Sequence, residues 1–249
     1  MKLARIVVAA HALWLVASRP CLPVVLDWPT ELWAGTPAGI SLRYLWLFTP
    51  LFEHLLYAAL ALALILAIFG IATRASCISA ALLLYHFAPL EDVFTVAYGP
   101  YVRGLTADVL VLAILGFAPP QRRWPLTLLR CVVASQYVFS TVSKLHVAGM
   151  EWFRGENIRD LAIMLDGLHA APRAHTIIDH PWLASAVALA WLLISLGMAA
   201  TPFFRHAAMI VVPLAALAQI AAVPLLGIVF LGAPLLLVFV DQHDAVVSG

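Results

Sequence analysis

Gln136, Ser140 and Lys144 stand at i, i+4 and i+8 within an apolar run. On a helix of 3.6 residues per turn they share one face, with Tyr137 and Thr141 bordering the stripe. In lipid, such a stripe has to face other helices or a water-filled cavity, because hydrocarbon offers no hydrogen-bond partners. The amine of Lys144 gives the stripe its chemistry, and two readings of it are open. Its long stem can carry the ammonium out to the membrane surface. Alternatively, the amine stays in an apolar site, gives up its proton and acts as a base, with neighbouring amide and hydroxyl groups as donors.

Other groups surround this stripe. His86, Glu91, Asp92, Tyr98 and Arg103 flank two apolar runs, either as a solvated loop or as the mouth of a cavity. In the second case Arg103 would grip a substrate carboxylate bidentately. Asp108 lies just inside an apolar run, where a carboxylate is costly unless paired; either it pairs with Arg103, Arg5 or Lys144, or it is simply exposed at the end of the span. Trp152 and Phe153 follow the lysine and either close a cavity or anchor at the interface. His11 reads as a helix–helix hydrogen bond. His169, His175 and His180 do not repeat at the spacing of two ligands on one helix face, so no metal is expected. Motifs for nucleotide binding, serine hydrolysis or zinc proteolysis are absent from the sequence.

The elements that must position these groups follow from composition. The 249 residues are 64% hydrophobic and 11% charged, with a mean hydropathy of +0.99. A soluble domain carries roughly 45–50% apolar and about 25% charged residues. An ordinary soluble globule, a disordered chain and a nucleic-acid binder are thereby excluded. The net charge of +1 sets up no field toward an acidic partner. Cys21, Cys77 and Cys131 form no C-x-x-C pair and read as packed thiols.

A spanning helix takes about 20 apolar residues. The expectation is an all-α, polytopic transmembrane bundle of about eight spans, with a range of six to eight, in a single domain over residues 1–249. The runs are 3–18, 50–72, 76–88, 105–118, 125–147, 182–201, 207–222 and 224–240. Pro213, Pro224 and Pro234 are expected to break or kink the last of them. Within the polar segment 148–181, Ile158, Leu161, Ala162 and Leu165 recur near helical spacing, as in an interfacial helix after the fifth span. Short basic connections carrying Lys2, Arg5, Arg74, Arg122, Arg123 and Arg205 fall on one side. That places the N-terminus in the cytoplasm and Lys144 at the extracytoplasmic end of its helix.

The string QYVFSTVSKLHVAGMEWFRGENI, residues 136–158, resembles the hallmark segment of the HTTM family. This membrane domain is shared with vitamin K-dependent gamma-glutamyl carboxylase and many bacterial proteins. The positions that carry the likeness are Gln136, Tyr137, Ser140, Lys144-Leu145, Trp152 and Gly155. Arg5 in the first helix and the segment 85–120, a polar loop before a helix ending in proline, agree with it.

The resemblance implies an integral enzyme of a bacterial inner membrane. Lys144 would be the general base on a reduced quinone, vitamin K or another, in an oxygen-dependent epoxidation coupled to proton abstraction or carboxylation. The expected binding residues are Gln136, Tyr137, Ser140, Trp152, Arg103, Asp108 and His86. Expected partners are membrane lipid and a secreted peptide or small carboxylate, with no nucleic acid. The soluble region with which the carboxylase grips its protein substrate has no counterpart here, so protein carboxylation is not expected. Where later helices of the family carry an acidic residue and a Phe-His pair, this chain offers Ser195, Gln219 and a more peripheral His206. Some bacterial members are associated with toxin maturation. The alternative is therefore a non-enzymatic membrane protein for maturation, export or immunity of a secreted peptide.

Overall fold

A computed structural model describes residues 1–18, 50–98, 105–118, 124–167, 172–226 and 232–245. Among them every regular element is helical: α1 (Lys2–Ser18), α2 (Pro50–Phe69), α3 (Thr73–Tyr98), α4 (Leu105–Phe117), α5 (Trp124–Ala148), a 3-10 turn (Gly149–Arg154), α6 (Glu156–Gly167), α7 (Ala174–Ile178), α8 (Pro181–Met198), α9 (Arg205–Leu226) and a 3-10 helix (Ala233–Ala245). The chain divides into two compact units, Met1–Leu129 and Arg130–Gly249.

Among the described residues three helices, α5, α8 and α9, are long and apolar enough to cross a membrane. With them the chain has the character of a membrane-associated helical protein. The expectation of about eight spans, and of six at least, is overturned, and the reason is length and composition. The hydrocarbon core is about 30 Å thick. At 1.5 Å per residue, the 17 residues of α1 and the 13 of α4 rise only about 25 and 20 Å. The apolar stretch of α2 is His54–Phe69. The run 76–88 is no separate helix, because α3 continues through Pro89, Glu91 and Asp92 to Tyr98. At the other end of the chain, α9 stops at Leu226 and the 3-10 helix follows, so 224–240 is not one element either. Pro213 and Pro224, expected to break or kink their segments, both lie inside the single helix α9, so neither ends it.

In the first unit α1 packs on α2, α2 on α3, α3 on α4, and α4 returns to α1. Leu15, Leu60, Leu64, Leu84, Phe87 and Leu112 fill the interior completely. The short apolar helices thus bury their faces on one another. Gly70, at φ +78°, ends α2 in the left-handed conformation. Its N–H bonds to Ala67 O, and that of Ile71 to Leu66 O. The guanidinium of Arg5 occupies the space a Cβ at Gly70 would take, and its Nη1 donates to Thr73 Oγ1 at 3.2 Å. A cation at this point complements the negative end of the α2 dipole.

In the second unit the amphipathic helix α6 buries Ile158, Ala162 and Leu165, spaced i, i+4, i+7. They meet Ala174 and Ile177 of α7, Ala184 and Ala188 of α8, and Ala222 and Leu226 of α9. Arg159 Nε donates to Ile178 O at 3.1 Å, and Arg173 N to Pro224 O at 2.9 Å. One end of α8 and one end of α9 are covered in this way.

Candidate functional site

The site in the second unit grows from one face of α5. Tyr137, Thr141 and Lys144 recur at i, i+4 and i+7, with the first two buried and the lysine half-buried. Lys144 Nζ stands 5.1 Å from the ring centroid of Trp152 and 5.3 Å from that of Trp191. Both distances fall within cation–π range. Trp152 comes from the 3-10 turn that follows α5, and Trp191 from the middle of α8. Among the described residues no carboxylate pairs with Lys144.

The position of Trp152 depends on its turn being fixed. Gly155 closes that turn at φ +72°, and a Cβ there would lie 2.4 Å from the backbone nitrogen of Ser185. Only glycine meets both demands. Ser185 Oγ donates to Arg154 O at 2.7 Å across the same contact. The turn is locked to α8 one residue beyond Arg154, and Trp152 packs against the α6–α9 core.

Further along α5, the Tyr137 hydroxyl accepts a hydrogen bond from Gln219 Nε2 of α9. Gln136 and Ser140 are half-buried and flank the Tyr137–Thr141 face. Gln136 Oε1 lies 3.7 Å from where a Cβ on Gly232 would stand.

Of the other expected binding residues, Asp108 and His86 belong to the first unit. Both carboxylate oxygens of Asp108 are 3.0 Å from Nδ1 of His11, and both side chains are fully buried. Its partner is therefore His11, whereas Arg5 is engaged at Gly70 and Thr73. His86 is buried in the same unit, edge-on to Phe87 with centroids 4.9 Å apart. Arg103 lies outside the described residues.

Of the expected set, Tyr137, Lys144 and Trp152 are brought together, with Gln136 and Ser140 beside them on α5. Trp191 was not legible as part of this cluster. Its signal was faint: within apolar α8, Trp191 and Ser195 stand i, i+4 on one face. The cluster can hold an amine in an aromatic setting with no carboxylate partner among the described residues, and two turns earlier on the same face of α5 it carries a hydroxyl oriented by an amide. No protein-family model, no curated protein and no solved structure matches the chain.

Proposed function

We propose that the chain is an integral membrane protein in which Lys144 acts as general base on a lipid-soluble weak acid. The substrate class is a reduced quinone, as the resemblance to the HTTM family implies. The observation that carries this reading is the amine's setting, between Trp152 and Trp191 with no carboxylate ion pair among the described residues. A carboxylate neighbour would hold the lysine as a permanent ammonium. Indole faces attract an ammonium by only about 0.5–2 kcal/mol, so they steady the charge that proton transfer creates without fixing it beforehand.

The residues fit a ring-bearing, oxygen-bearing ligand. The two indoles offer flat apolar walls. Tyr137 accepts from Gln219, so its own O–H remains a donor toward a ligand oxygen. A reduced quinone supplies an acidic hydroxyl and the electrons of the reaction, and dioxygen is the oxidant: one of its oxygen atoms enters the epoxide and the other leaves as water. Lys144 takes the proton once its nitrogen is within hydrogen-bond reach of that hydroxyl. On this reading the protein lies in a bacterial inner membrane with the N-terminus in the cytoplasm and Lys144 toward the extracytoplasmic side.

The test is turnover of a reduced quinone by the purified chain under oxygen, with the epoxide measured by mass spectrometry. Wild-type protein is expected to form it. Lys144→Arg is expected to bind the quinone but form none, because arginine stays protonated. Turnover by Lys144→Arg sinks the base role. Absence of epoxide from wild-type protein that carries a bound secreted peptide favours the non-enzymatic alternative.

A further inference from the structure

Hydroxyl groups in the second unit fall into two classes. Ser135 donates to Val132 O at 2.8 Å, Thr201 to Met198 O at 2.7 Å, and Ser185 to Arg154 O at 2.7 Å. These are the satisfied ones, bonded to carbonyls as helix and turn hydroxyls usually are. Thr141 Oγ1 and Ser195 Oγ have no hydrogen-bond partner among the described residues, although the two residues are only 1% and 0% exposed. Gln219 Oε1 is in the same condition at 5%. Each buried polar atom without a partner costs about 1–3 kcal/mol. Native proteins meet that cost with protein groups or with ordered water.

The three atoms come from three different helices, and all are tied to the Lys144 cluster. Thr141 is one turn before Lys144 and one turn after Tyr137 on α5. Gln219 bonds Tyr137 through its other amide atom. Ser195 is one turn beyond Trp191, whose ring faces the Lys144 amine. A hydroxyl both donates and accepts, and the amide oxygen accepts, so the set can bind water at each step.

We propose that Thr141, Ser195 and Gln219 hold a short file of water against the Lys144 amine, and that this file carries the protons exchanged between Lys144 and the surrounding water. In the forward direction an N–H bond of the ammonium breaks and its proton joins the adjacent water oxygen. That water passes one of its own protons along the file. The amine is left neutral and the far end of the file gains the proton; the reverse sequence restores the ammonium. The proton file stands whether or not the ligand is a quinone.

The chain has two lysines, Lys2 and Lys144, so isotope-labelled lysine gives one half-buried probe and one exposed reference. The measurement is the exchange of the lysine amine protons with water by nuclear magnetic resonance, on the full chain in nanodiscs without substrate. The double variant Thr141→Val, Ser195→Ala keeps side-chain volume nearly constant and removes both hydroxyls. Exchange at Lys144 is expected to slow by an order of magnitude or more, with Lys2 unchanged. Thr141→Ser, which keeps the hydroxyl, is expected to exchange as wild type. Unchanged exchange in the double variant overturns the proposal. So does equal slowing by Thr141→Ser, which would assign the effect to packing. Should the double variant fail to fold, Ser195→Ala and Thr141→Val are compared singly. No substrate enters the measurement, so a failed quinone assay leaves its outcome intact.

Discussion

Lys144 Nζ lies 5.3 Å over the indole of Trp191, so the amine of α5 is directed at the middle of α8. An amine above an aromatic face is shielded by the ring current. Replacement of Trp191 by leucine removes both the shielding and the attraction. The lysine resonance of Lys144 is expected to move toward that of Lys2 in Trp191→Leu and to stay near its wild-type place in Trp191→Phe. Loss of a contact worth about 0.5–2 kcal/mol corresponds to a fall of roughly twofold to thirtyfold in any Lys144-dependent rate. Indistinguishable lysine spectra of wild type and Trp191→Leu would show that the ring does not hold the amine.

The His11–Asp108 pair makes a different claim, about stability. It joins α1 to α4 within the first unit, and both side chains are out of contact with solvent. Removal of one partner takes this hydrogen bond from the other in a buried setting. The expected loss is about 3–5 kcal/mol for Asp108→Leu or His11→Leu alone. The double variant, with two apolar groups facing each other, is expected to be more stable than either single one. Thermal unfolding in detergent measures all four proteins of the cycle. Single losses that simply add in the double variant would mean the two groups are not coupled.

Two glycines with the same sign of φ are expected to respond unequally to alanine. A left-handed non-glycine residue costs about 1–2 kcal/mol at either position. At Gly70 the added Cβ meets the guanidinium of Arg5, 2.7 Å away at the end of a flexible side chain that can swing aside. At Gly155 it meets the backbone of Ala184 and Ser185 at 2.4–2.5 Å, which cannot. Gly155→Ala is therefore expected to lose more stability than Gly70→Ala and to displace Trp152 from Lys144. Unfolding midpoints and the Lys144 resonance check both parts. An equal, small loss at the two sites contradicts the close approach of the turn to α8.

These relationships differ in how far the sequence discloses them. Helix α5 is legible almost to the residue, because a long, mostly apolar run with no proline or glycine between Pro125 and Gly149 admits no other element. Its inner face is not. Gln136, Ser140 and Lys144 form one valid stripe and Tyr137, Thr141 and Lys144 another, a single helical step apart, and polarity alone does not decide which is covered. The partner of Asp108 was hidden because charge argued for an arginine or a lysine, whereas the packing of α4 on α1 supplied a histidine. Gly155 stood out as a motif position, but its reason, a close approach to α8, exists only in three dimensions. The spans were over-counted because an apolar run of 13–17 residues looks the same whether it faces lipid or fills the interior of a small bundle.

The three long apolar helices carry the last prediction. Only 33%, 28% and 28% of the residues in the apolar windows of α5, α8 and α9 are buried. Large apolar side chains among the rest are exposed, including Phe139, Leu193, Ile210 and Ile220. In water such bands would be an aggregation liability, whereas in a bilayer they are the surface that lipid covers. A lysine at the centre of a lipid-facing helix costs about 2.5–3.5 kcal/mol, whereas an ordinary surface substitution stays within about 0.5 kcal/mol. Leu193→Lys and Ile220→Lys are therefore expected to cut the yield of membrane-integrated protein sharply. Asn157→Lys, on the exposed polar face of α6, serves as the control and is expected to leave it unchanged. The amount that resists alkaline extraction from membranes is the measurement. Equal recovery of Leu193→Lys and Asn157→Lys would mean that the bare face of α8 does not meet lipid, and the same comparison at Ile220 decides for α9.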